Sequence, residues 1–218
     1  MMFLNWLFAM WLAVAPGTSP AVFFASTNAY AGTAVNDATV GTLAWTFTSD
    51  AQGAPDNLVA YCASSAYGIT NYLKATNFGF SIPGGATISG VQVSVRKGYW
   101  LDITVKDSEV KLVKADGTIG STNKSTGATW PAAPSGASAS VVNYGGSSDT
   151  WGGDANTDWN DADCGVVLSA DFQSGTLNST AAIVDSVQIT ITYNTAPGMP
   201  RRTVISRAGS ITHLRKGA

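Results

Sequence analysis

Charge is what this sequence has least of. Only 12 % of its 218 residues are Asp, Glu, Lys or Arg, about half the share of an ordinary soluble domain. A surface so poor in charge suits a protein that keeps much of itself covered in an assembly. The chain has one glutamate, Glu109, and one histidine, His213. The single glutamate leaves nothing to select a facing carboxylate pair for glycoside hydrolysis. The lone histidine lies among the last residues, so a serine or cysteine nucleophile has no evident general base. Phosphate-binding glycine motifs that follow a strand and open a helix are missing too. These gaps argue against an enzyme.

Cysteine is almost as scarce. Cys62 and Cys164 form no C-x-x-C or Cys/His cluster, which removes the usual grounds for a zinc site. Each stands in an apolar, strand-like run ("NLVAYCAS" and "DCGVVLSA"), where a free thiol behaves as a small buried hydrophobe. The apolar block from Met1 to Ala15 is shorter than the roughly 20 residues a membrane-spanning helix needs, so no membrane span is expected.

What the chain has in quantity is glycine, 23 residues of it, with abundant Ser, Thr and Ala and a full complement of aliphatics and aromatics. That mixture belongs to a turn-rich all-β protein rather than to a disordered chain. The clearest strands alternate. In "GVQVSVRK", Val91, Val93 and Val95 alternate with Gln92, Ser94 and Arg96; in "VQITITY", Val187, Ile189, Ile191 and Tyr193 alternate with Gln188, Thr190 and Thr192. Further strands are expected over 42–48, 57–62, 75–82, 103–105, 109–114 and 165–170. Asp116-Gly117 marks a tight turn. The segment 120–163 has little apolar periodicity but contains Trp130, Trp151 and Trp159, and reads as an elaborate loop packed by aromatics. With no alternating helices, the expected fold is an antiparallel β-sandwich or jelly roll over 23–195.

Two unlike ends flank that domain. Residues 1–22 form an apolar arm in which Phe3, Leu4, Leu7, Phe8, Trp11 and Leu12 recur at helical spacing. Ala29-Tyr30-Ala31 would serve as the cleavage site of a secretory signal. However, no Lys or Arg precedes the apolar run, and Pro16 and Pro20 interrupt it. The favoured expectation is an uncleaved arm whose Phe3, Trp6, Leu7 and Trp11 anchor the protein in an assembly. Residues 196–218 form a basic tail with Arg201, Arg202, Arg207, Arg215 and Lys216 and no acid, whereas the rest holds seven basic and all fourteen acidic residues. Apolar Val204, Ile205, Ile211 and Leu214 lie between the charges. A docking arm against an acidic protein surface is therefore expected ahead of nucleic acid.

Two constellations invite a site. Asp154, Asn156 and Asp158 open like a calcium loop, but Trp159 stands where the sixth position needs Gly and Gly165 where the twelfth needs Glu. Turn formation and backbone capping are the favoured reading there, with no cofactor expected and calcium the weak alternative. Tyr99, Trp100, Tyr144, Trp151 and Trp159 could stack on sugar rings; core or subunit-interface packing is the favoured reading for them.

Taken in order, "GTLAWTFTSDAQGAPDNLVAYCAS", "TNYLKATNFGFSIPGGATISGVQVSVRK", "DSEVKLVKADGTIG", "YGGSSDTWGG", "DWNDADCGV" and "VDSVQITITY" resemble β-sandwich modules of tailed-phage and prophage virion proteins. The resemblance covers about residues 35–194. It implies that Asp149, Trp151, Gly152, Asp158 and Asn160 are recurrent loop positions, and that Cys164 occupies the place of a core aromatic. It brings no catalytic residues.

The expectation is thus a non-enzymatic phage structural protein, most simply a capsid decoration, head-fibre or minor capsid protein held through its termini. Other virion proteins and copies of itself would be its partners, with a host surface glycan a further one. A tail or baseplate component, a secreted carbohydrate-binding module and an extracellular filament subunit are the alternatives.

Overall fold

The computed structural model describes residues 23–64, 66–100, 104–173 and 180–195. The anchoring residues expected in the arm (Phe3, Trp6, Leu7, Trp11) and in the tail (Arg201, Arg202, Arg207, Arg215) lie outside them, as does His213. No helix among the described residues is long and apolar enough to cross a membrane.

The described chain is all-β. Its strands are β1 (Phe23–Tyr30), β2 (Thr33–Asp37), β3 (Ala60–Ser64), β4 (Gly68–Ile69), β5 (Tyr72–Thr76), β6 (Thr87–Trp100), β7 (Val105–Val113), β8 (Ser140–Gly145), β9 (Gly165–Phe172) and β10 (Thr180–Thr195). They form two five-stranded antiparallel sheets. In the first, the order is β1-β10-β6-β8, with β3 beside β1 on the same flank of β10. In the second, β2 pairs with β5, β5 and β4 follow one another along one flank of β9, and β7 runs along the other.

Alternation explains how the sheets meet. Val91, Val93 and Val95 on β6 and Val187, Ile189 and Ile191 on β10 are fully buried. They belong to the same apolar cluster as Leu73 and Ala75 of β5, Val110 and Leu112 of β7, and Val166 and Leu168 of β9. One core therefore takes side chains from both sheets. Trp130, Trp151 and Trp159 join it, so the long loop region is packed by its tryptophans as its composition suggests. Both cysteines are buried and free.

Several strands depart from expectation. Segment 42–48 makes only isolated bridges, Leu43 to Thr70 and Thr46 to Tyr61. Its Trp45 is pegged instead by two hydrogen bonds of 2.8 Å, backbone N–H to Asn36 Oδ1 and indole N–H to the Asn71 carbonyl. Phe47 then turns left-handed at φ 50° and ends any extended run. The strand expected over 75–82 stops at Thr76 because Asn77 is left-handed, φ 57°, a conformation asparagine tolerates. The strands expected at 103–105 and 109–114 meet in one strand, β7 (Val105–Val113), bulged between Asp107 and Glu109; residue 103 lies outside the described residues. Strands β1, β2, β4 and β8 were not expected.

The chain passes from the first sheet to the second at Ala31-Gly32. The Ala31 N–H bonds the Val187 carbonyl at 3.0 Å, and the Gly32 N–H bonds the Thr76 carbonyl at 3.2 Å. A Cβ at Gly32 would stand 2.6 Å from the Asn77 carbonyl oxygen, so the crossing needs glycine.

Candidate functional site

The most unusual group of side chains lies inside the core. Strand β6 continues its inward alternation past Val95, and the next inward residue is Lys97. Gly98 helps to place it: the segment Trp130–Ala133 lies so close that a Cβ there would meet the Ala133 methyl at 2.3 Å. The segment is held by Tyr99 N–H to Pro131 O at 2.9 Å and Ala133 N–H to Tyr99 O at 2.8 Å. Lys97 reaches from the first sheet to Asp107, which sits at the bulge of β7 in the second. The two side chains are 2 % and 3 % exposed.

Two aromatic residues complete the group. The Lys97 ammonium contacts the hydroxyl of Tyr144, from β8. That hydroxyl donates to Asp107 Oδ2 at 2.9 Å. The Trp130 indole N–H donates to Asp107 Oδ1 at 2.7 Å. The Lys97 nitrogen lies 4.2 Å from the Trp130 ring centre and 5.0 Å from that of Tyr144, within cation–π range. Burial pulls Lys97 down to about 8 against the opposing pull of Asp107. Burial first, and then Asp107, push the Tyr144 phenol well above its ordinary value.

Desolvating two charges costs about as much as their attraction returns, so such a pair contributes little net stability. Removing one partner strands the other and costs about 3–5 kcal/mol. The group is therefore a positional lock between sheets with its polar atoms mutually satisfied.

A second lock joins the two central strands of the first sheet. Asp185, fully buried at a bulge of β10, pairs with Arg96 and accepts from the Asn57 N–H at 3.1 Å. Arg96 also donates to the Ala137 and Ala139 carbonyls, each at 3.2 Å. On the outer face of the second sheet, Tyr72 donates to Glu109, which pairs with Lys111 at 2.6 Å.

The expected sites fare differently. Asp154 accepts the Thr122 N–H at 2.8 Å and pairs with Lys114 at 3.3 Å. Burial works to raise its carboxyl, but these partners outweigh it and hold it below the usual carboxylate range. Asp158 accepts the Asn160 N–H at 3.0 Å. Asn156 lines a groove of about 650 Å³ between residues 82–88 and 156–160. Asn160 braces one wall of this groove, bonding both the N–H and the carbonyl of Ile82. No group of three or more His, Cys, Asp or Glu able to hold a metal occurs among the described residues. Asp154 and Asp158 thus each cap a backbone N–H in these loops.

Of the aromatics offered as alternative sugar-stacking residues, most lie in the core. Trp151 and Trp159 are buried, their indole N–H groups bonded to the Val91 carbonyl at 2.8 Å and the Ala155 carbonyl at 2.9 Å. Tyr144 is buried in the lysine group. Only Trp100 of the three tryptophans presents its ring, at 46 % exposure. Cys62 and Cys164 are inert, their thiols pushed up by burial to about 12 and about 11.

Sequence reasoning missed the lysine group. The signal was there, because Lys97 keeps the odd-numbered register of Val91, Val93 and Val95, but a terminal Arg-Lys pair reads as the solvated end of a strand. No family model matches the chain, and no curated protein or solved structure is similar to it.

Proposed function

We propose that the chain is a non-enzymatic structural protein of a phage virion, a β-sandwich of jelly-roll type anchored through its two ends. A capsid decoration, head-fibre or minor capsid role is the first choice, and a tail or baseplate position the second. The observation that carries the anchoring is the register of β1 on β10: Phe23, the first described residue, is the partner of Thr195, the last. The apolar segment 1–22 and the basic segment 196–218 therefore join the domain side by side. Apolar anchors would supply most of the binding energy at that pole, and arginines would set register against acidic partners.

The interior supports the same reading. Its reactive groups are engaged with one another, as a rigid building block requires, and the sheets are locked to each other at Lys97–Asp107. Exposed Phe24, Phe47, Leu58, Trp100 and Val141 offer apolar contacts to neighbours. The secreted carbohydrate-binding alternative loses two of its three tryptophans to the core. It also requires cleavage after Ala31, which would remove β1 and its eight-residue pairing with β10.

The test is incorporation. Chains lacking residues 1–22, or residues 196–218, keep every described strand and should fold with the melting temperature of the full chain. Neither should enter particles assembled in their presence. Undiminished incorporation of both would overturn the anchoring.

A further inference from the structure

We propose that Lys97 and Asp107 condense into an intramolecular amide that covalently joins the two sheets across the core. The proposal does not depend on a virion role.

The geometry supplies each requirement of the reaction. The amine and the carboxyl are in direct contact and almost wholly shielded from solvent. Reacting groups held in this way gain effective molarities of about 10⁵–10⁸ M. In the ion pair the nitrogen has no free electron pair, so one proton must move from Nζ to the carboxylate. The Tyr144 hydroxyl contacts Nζ and both carboxylate oxygens, and can carry that proton. The neutral amine and acid so formed escape the cost of two desolvated charges, which offsets the loss of their attraction. The Lys97 pKa, pulled down by burial to about 8, eases loss of that proton.

The neutral Nζ then attacks Asp107 Cγ. The carbonyl electrons move onto Oδ1, where the Trp130 N–H stands at 2.7 Å, placed to stabilise the developing oxyanion. A proton from Nζ passes through the Tyr144 hydroxyl to Oδ2, the Cγ–Oδ2 bond breaks, and one water leaves. A C–N bond replaces a C–O bond, and no oxidant, reductant or co-reactant is needed. Tyr144 is a proton-relaying residue that touches both reacting groups.

The test is the intact mass of the denatured full chain. It should fall one water below the mass of the sequence, and treatment with hydroxylamine should leave it unchanged. Hydroxylamine opens a cyclic imide, such as one formed at Asp116-Gly117, but leaves an amide intact. Trypsin should yield a branched fragment with two amino termini, at Lys97 and at Asp107, because cleavage after Lys106 still proceeds. Lys97→Arg and Asp107→Ala should each return the chain to the unreacted mass for their residues, a reading that does not require them to fold. Tyr144→Phe, which keeps both reacting groups, should raise the unreacted fraction at least tenfold in freshly made protein. A wild-type chain at full sequence mass would overturn the proposal. So would a missing water that persists in Asp107→Ala.

Discussion

At the scale of single residues, the chain places few ionisable groups and engages those it buries. Asp154 illustrates the consequence for pH. Its carboxyl is held below the usual range because the Thr122 N–H and Lys114 outweigh its burial. A depressed carboxyl adds stability that is complete above its unfolded value, about 3.9, and is lost as pH falls through the folded value. Asp149, held low by Lys124 at 2.7 Å against the opposing effect of burial, acts in the same direction. Chemical denaturation between pH 7 and pH 2 should therefore show stability falling with acid, and Asp154→Asn should flatten that fall while lowering stability at pH 7. An unchanged slope in Asp154→Asn would place the acid sensitivity elsewhere. Single residues were the hardest scale to read from sequence. Cys62 and Cys164 were legible as core residues from their apolar neighbours. Trp151 and Trp159 were not separable from exposed binding aromatics, because a glycine- and asparagine-rich loop gives no periodicity to say which way a side chain points.

At the scale of elements, alternation made β6 and β10 legible and, with them, the first sheet's centre. Both are central strands with one face in the core, and that is where a period of two is enforced. Edge strands carry a weaker signal. β8 turns Val142 and Tyr144 inward but leaves Val141 exposed, and β1 puts Phe24 in solvent, so neither shows a clean apolar face. β2 and β4 are too short to establish a period. The Ala-Tyr-Ala run that resembles a cleavage site forms the end of β1 and the crossing between sheets, where Gly32 is a structural demand. Gly32→Ala should cost about 1–3 kcal/mol, the range for forcing extra atoms into a filled site. Denaturation of the variant against wild type measures it; an unperturbed midpoint would mean that the crossing relaxes freely.

At the scale of the whole molecule, the two sheets, their shared core and the lysine lock describe a rigid body whose ends join it at one pole. That adjacency is what supports the proposed reading of a block held through its termini. The most direct measurement is peptide mapping of the protein from purified particles, with its amino terminus sequenced. The account predicts that the chain is a particle component beginning at Met1 or Met2, with the apolar segment retained. A chain absent from particles and secreted with Gly32 at its amino terminus would contradict it, and would make the protein a processed extracellular one.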